Sequence, residues 1–410
     1  MAWLGHFKQY ENLLTDFLQS ITYKKAKDVT LLFITEDEYK RGFNSISPLS
    51  RERLADTIEM LVKLKARVIA LDIDISDSTS EDHKLSDVLA RASTAGVPVI
   101  VTGNFTKIDE QDPSVDNPHL ERPYAEERLS FTEDGFVLFA DVGPGRQWIG
   151  KVMYGGVDFR LDPDGILRRA EPLYMIKDAS YKNSQRPIPS LPVTVAAAYL
   201  GMSEKDLENA LSNIHDNNIT LSGKGNHYQH DIYIHIGRDG RITPNFIGNY
   251  EHFDREVSLT RLFEDYGPGK AEGMTIFRDK VVIIGGTYDK KDFYMTPVGM
   301  MSGMEILANI TQNILSHNLI THTNRWKAFA IEVFLGTLVA LAFILMSRFW
   351  ATVICLVSLM PVVTAASIIS FAASYYWFDF IPTISGVVLH GWISKTEKDI
   401  KAMKYKLKKR

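Results

Sequence analysis

Apolar residues follow two different rhythms along this chain. Up to about residue 325 they come as short β-branched runs alternating with helical stripes; beyond it they are nearly continuous. The run "VTLLFIT" (residues 29–35) predicts a buried strand. "SPLSRERLADTIEMLVKLKA" then predicts a helix, with Ser47 as N-cap, Pro48 at the first helical position, and Leu54, Ile58, Leu61 and Leu64 on one face. "RVIALDID" (67–74) predicts a second strand, residues 82–95 a second helix and "VPVIVTG" (97–103) a third strand. Strands and helices alternating at this spacing imply βαβ units and a mostly parallel sheet.

The middle of the chain is less regular. "FVLFADVG" and "KVMYGGVDFRLDPDGILRRAEPLYMI" predict strands, with "DPDG" as a turn, and "SLPVTVAAAYLG" predicts a helix closed by Gly201. Residues 203–230 are polar and are expected to form a variable excursion. "VVIIGGT" (281–287) returns to a buried strand. "SGMEILANITQNILSHNLI" predicts an amphipathic helix leading toward the apolar C-terminal third. At the other end, Trp3, Phe7, Tyr10, Leu14, Phe17 and Ile21 recur every three or four residues. They predict an amphipathic helix over 1–27 that packs on the domain or on a second copy of the chain.

Three apolar segments follow residue 325. "AFAIEVFLGTLVALAFILM" (328–346) matches the ~20 residues a helix needs to cross a ~30 Å hydrocarbon core. "WATVICLVSLMPVVTAASIISFAAS" gives a second span that tolerates Pro361. "IPTISGVVLHGWIS" gives a shorter third, preceded by the aromatic cluster "YYWFDF". Eight Lys or Arg residues follow Ser394. The excess of basic residues on one side places that tail (395–410) in the cytoplasm and, with three spans (326–394), the large domain (28–325) outside. The first residues contain no apolar signal segment, so either a further span lies upstream or the domain is cytoplasmic with an even number of spans; the upstream span is the expectation.

Composition narrows the function classes. A net charge of -4 argues against a general nucleic-acid binder. Cys355 is the only cysteine, which excludes an intrachain disulfide and any cysteine-built metal site. No serine or cysteine stands in a nucleophile-elbow context, and no Walker-type phosphate loop occurs.

The candidate chemistry gathers where predicted strands end. In "LDIDISDSTSEDHKL", Asp72, Asp74, Asp77 and Asp82 offer hard oxygen ligands. Asp72 and Asp74 would share one face if the strand alternation continued. Three readings stay open: solvated turn and cap chemistry, a ligand pocket at the strand ends, or a metal-dependent membrane-bound enzyme using Asp72, Asp74 and Asp82. "GGTYDKKD" presents Gly286 and Thr287 after a strand, with Asp292 and "TPVG" as the rim of the same pocket. His230 and His235 alternate onto opposite faces and read as non-ligands.

Four segments, in this order, resemble the second class of cyclase- and histidine-kinase-associated sensory extracellular domains, the CHASE-two family. They are residues 47–92, "GGVDFRLDPDGILRRAEPL", "FRDKVVIIGGTYDKKDFYMTPVGMMSGMEILANITQNIL" and the closely spaced spans. The resemblance implies a ligand-binding sensor outside the cytoplasm, anchored by one span before the domain and usually three after it. It also implies a second copy of the chain as partner and an output domain, which this sequence does not carry. The expectation is therefore a non-enzymatic sensory receptor of the plasma (inner) membrane. Its α/β domain would bind a ligand at Asp72, Asp74, Asp82, Gly286, Thr287 and Asp292 and signal through its membrane helices to a separate protein.

Overall fold

The strand run at residue 281 is inserted between the first two strands of the chain, and this placement organises the whole domain. The computed structural model describes residues 12–20, 25–107, 138–143, 146–148, 150–177, 185–224, 231–237, 239–253, 257–266, 270, 275–288, 292–322, 325–354, 357 and 360–377. These fall into two units, Tyr23–Leu319 and the paired terminal stretches Met1–Thr22 with Ile320–Arg410.

Within Tyr23–Leu319 the chain begins with β1 (Val29–Ile34), α1 (Glu36–Gly42), α2 (Arg51–Lys63), β2 (Val68–Asp72), α3 (Asp82–Thr94) and β3 (Val99–Lys107). After β4 (Leu138–Gly143) come β5 (Met153–Gly156), β6 (Leu173–Lys177), β7 (Gln185–Pro189), α4 (Leu191–Tyr199) and α5 (Glu204–Ser212). Then follow β8 (Asn218–Leu221), β9 (Ile232–His235), β10 (Val257–Ser258), α6 (Leu259–Glu264) and β11 (Val281–Gly286). A hairpin of β12 (Phe293–Thr296) and β13 (Gly299–Ser302) leads into α7 (Gly303–Leu315).

Six strands run parallel in the order β10-β1-β11-β2-β3-β5, and β4, β6 and β7 extend the sheet beyond β3. Buried strands in a parallel sheet need helices on both faces. Alternate residues of β2 divide accordingly. Ile69 and Leu71 join the core under α2, α3 and α6, whereas Val68 and Ala70 join the core under α4 and α7. Close contact with α4 requires Gly155, because a Cβ there would stand 2.6 Å from the backbone of Leu191.

Two sequence expectations change here. Helix α2, expected from Ser47 and Pro48, starts at Arg51 with Ser50 as N-cap. The start is set by a tertiary contact: Ser50 Oγ accepts from the Arg53 N–H at 3.4 Å and donates to Glu81 at 2.9 Å. Residues 203–230, read as a polar excursion with no element assigned, include α5 and β8 among the described residues. Ser203 and Asp206 make a reciprocal cap, and Leu207, Leu211, Ile219 and Leu221 enter a third core. His235 alternates outward on β9, while His230 lies outside the described residues.

In the other unit, helix Arg325–Leu345 is followed by helices Arg348–Ile354 and Met360–Ser374. Among the described residues no helix is long and apolar enough to cross a membrane. The segment read as a third span lies outside the described residues. Residues 12–20 are helical. Leu18 is buried with Ile320 and Phe371 and packs with Leu14, while Phe17 points outward at 57% exposure. The expected stripe counted Phe17; the Leu14 and Leu18 pair, one turn apart, takes the buried face instead.

Candidate functional site

All six parallel strands end on one side of the sheet, so their C-terminal residues converge there. Asp72 is the last residue of β2 and stands opposite Gly285 of β11 in the strand register. By alternation its side chain follows Val68 and Ala70 toward the face covered by α4 and α7. That face is closely packed. A Cβ on Gly285 would lie 2.6 Å from Met304 Sδ, and a Cβ on Gly303 would lie 2.0 Å from Asp292 Oδ2. The Asp292 carboxylate therefore rests against the first turn of α7, and its carbonyl accepts from the Gly303 N–H at 3.0 Å.

The electrostatics follow from burial and like charge. Burial pushes the Asp72 carboxyl up to about 7, and the negative charge on Asp292 pushes the same way. Tyr294 of β12 is raised above its ordinary value by burial first, then by Asp292, with Asp158 and Asp72 adding to the effect. Its ring meets Phe159 edge-on at 5.2 Å. Asp158 follows β5, and its backbone is held by Tyr174 Oη, which accepts from the Asp158 N–H at 3.0 Å. Glu171 is pushed up to about 7 by burial, against the opposing charges of Arg160, 3.4 Å away, and Arg241. The half-buried Asp72, Asp158 and Glu171, the exposed Asp292 and two tyrosines thus gather on this side of the strand ends.

The remaining acids of the quoted stretch go elsewhere. Because β2 stops at Asp72, the alternation that would have placed Asp74 beside it also stops. Asp74 is exposed and closes a local turn, its Oδ1 accepting from the Ser76 N–H at 2.8 Å and hydroxyl at 2.6 Å. Asp82 opens α3 and accepts from the Thr79 N–H at 3.2 Å and hydroxyl at 2.9 Å. The fully buried Arg51 pairs with Asp82 at 3.5 Å and donates to the Asp77 carbonyl at 3.0 Å. Trp148 adds a bond to the Ile75 carbonyl at 2.8 Å. These contacts make residues 74–82 a clasp around Arg51.

Of the six expected residues, the structure brings Asp72 and Asp292 together. Gly286 and Thr287 adjoin them at the end of β11. Gly286 lies against Tyr288, which stacks on Tyr39 at 4.1 Å, and the Thr287 N–H donates to the Ile34 carbonyl at 3.1 Å. Asp74 and Asp82 do not join them. A metal centre built from Asp72, Asp74 and Asp82 is thereby corrected, and among the described residues no group of three or more His, Cys, Asp or Glu is arranged to hold a metal ion. The sequence reading missed Asp158, Glu171 and Tyr294. One signal was available: "YGGVD" repeats the strand, glycine pair and acid of "IIGGTYD".

The strand C-termini of an open α/β sheet are where such folds hold ligands when they bind them. The model of the CHASE2 domain matches residues 1–348, and the chain belongs to that family of sensory extracellular domains. No curated protein and no solved structure matches the chain.

Proposed function

We propose that this protein is a membrane-anchored sensory receptor whose α/β domain lies outside the cytoplasm and binds a small ligand at the strand ends. The observation that carries the proposal is that Asp72, at the end of β2, feels the charge of Asp292, whose carboxylate rests against the first turn of α7. Asp72, Gly286, Thr287 and Asp292 form the ligand site, with Tyr294 and Asp158 beside them. The carboxylates and backbone groups suit a ligand that offers hydrogen-bond donors. Asp74 and Asp82 shape the neighbouring loop and do not touch the ligand.

A ligand there has unequal contacts with different seatings of α7, and that difference is what shifts a conformational equilibrium. The chain runs from α7 into the apolar helices, so α7 carries the bias toward the membrane. Support for the anchor comes from the apolar sequence after Ala328, and from Val333, Phe334, Leu338, Leu341, Ile344 and Leu345, all exposed on helix Arg325–Leu345. The lipid bilayer, a second copy of the chain and a separate output protein are the partners of this reading.

The test is a thermal-stabilisation screen of small polar compounds against the full chain in detergent. A binder raises the unfolding midpoint of the natural chain. Asp72→Asn abolishes that rise, and Asp74→Asn leaves it intact. A binder whose effect survives Asp72→Asn and Asp292→Asn would place the site elsewhere.

A further inference from the structure

Three side-chain amides on α7, those of Asn309, Gln312 and Asn313, are buried and take no part in the strand-end site. Each bonds to backbone. Asn309 Oδ1 accepts from the Ile247 N–H at 2.7 Å and the Gly248 N–H at 3.4 Å, and its Nδ2 donates to the Gly248 carbonyl at 2.9 Å. Asn313 repeats the arrangement one turn later. It accepts from the Asn245 N–H at 3.2 Å and donates to the Asn245 carbonyl at 3.1 Å. Both amides also donate to the helix carbonyl four residues earlier, Glu305 at 2.8 Å and Asn309 at 2.7 Å. Gln312 holds a second segment. Its Oε1 accepts from the N–H groups of Lys27 at 3.0 Å and Asp28 at 2.9 Å, and its Nε2 donates to the Asp28 carboxylate at 2.8 Å.

Residues 245–248 belong to no strand. The two asparagines give them the hydrogen bonds that a neighbouring strand would otherwise supply. The spacing explains why this works. Four helical residues advance ~6.0 Å and two extended residues ~6.6 Å, so amides one turn apart meet alternate positions of an extended chain. The match is also unforgiving. Sliding α7 by a single residue moves the amides by ~1.5 Å and takes them out of bonding geometry together. Buried amides left half-bonded are costly, so settings between engaged and released are disfavoured.

We propose that Asn309, Gln312 and Asn313 are positioning residues that clamp α7 in one axial setting. Their joint release from residues 245–248 and 27–28 is the event that lets the helix take a second setting. This deepens the reading of α7 as the transmitting element and rests on it, but it makes no use of the ligand.

Hydrogen exchange on the full chain in lipid nanodiscs tests the clamp. Asn313→Asp keeps the shape and the acceptor but loses both donors, turning a carboxylate toward the Asn245 and Asn309 carbonyls. The expected result is about tenfold faster exchange in residues 245–248 and 303–315, with β11 unchanged. Equal acceleration in β11 would mean ordinary loss of global stability and overturns the proposal, as does unchanged exchange throughout. If Asn313→Asp does not fold, Gln312→Glu decides: it keeps the acceptor for Lys27 and Asp28 while repelling the Asp28 carboxylate, so exchange should quicken in residues 27–28 and 303–315 with β11 unchanged. A failed ligand screen on the natural chain counts against the strand-end site alone.

Discussion

Asp72 stands opposite Gly285 on the neighbouring strand, and the space that a side chain at 285 would occupy is filled by Met304 from the first turn of α7. The surroundings of this carboxyl therefore include the helix that leads out of the domain. Burial at this place and the charge of Asp292 are what push the Asp72 carboxyl up.

Stability should depend on pH through this group. An unfolded aspartate loses its proton near its ordinary value, whereas Asp72 in the folded chain keeps it to about 7. Between those limits the folded state binds the extra proton, so stability falls as pH rises through the window and levels off above it. Glu171, also pushed up to about 7, contributes with the same sign. Asp72→Asn should raise stability by roughly 2 kcal/mol at pH 8, with the gain shrinking toward zero near pH 4. Thermal unfolding of both chains at the two pH values checks this. A difference that does not change with pH would show that Asp72 titrates normally.

The clasp around Arg51 should matter for stability and not for binding. Arg51 is fully buried, and removing it leaves Asp82 and the Asp77 carbonyl without its charge. Arg51→Ala is expected to cost about 3 kcal/mol. Asp74→Asn, at an exposed turn, is expected to cost less than about 1 kcal/mol. Chemical denaturation measures both, and equal costs would contradict the division between clasp and turn.

Topology can be read directly from thiol labelling. With Cys355→Ser as background, Ser212→Cys should react with an impermeant reagent on whole cells. Ala402→Cys should react only after lysis. The opposite pattern would put the α/β domain in the cytoplasm and end the receptor reading.

How much of this was legible in the sequence varies with the range of the interactions involved. β1, β2, β3 and β11 are read from continuous apolar runs because a strand buried on both faces needs them. The start of α2 was misread because Ser47 and Ser50 are both acceptable caps, and the choice is made by Glu81, which is remote in sequence. α5 was missed because its exposed face outnumbers Leu207 and Leu211, so the segment looks polar by composition alone. Within the site, Asp72 and Asp292 could be paired once β2 and β11 were taken as parallel neighbours. Asp74 was misplaced because no local signal says that β2 ends two residues earlier. Tyr294 and Glu171 carry no motif; only the folded chain brings them to the strand ends.

The sheet order also governs when this domain can form. β11 lies between β1 and β2, so the two earliest strands never touch; β2 pairs early with β3, but the inner edges of both β1 and β2 wait for a strand made near the end of the domain. Until residues 281–286 arrive, both present open inner edges, and the sheet lacks its centre. Folding of the domain is thus deferred until nearly all of it has been synthesised, a slow, long-range closure. The strand that completes the sheet therefore comes almost last, and the sheet cannot close around a partial chain.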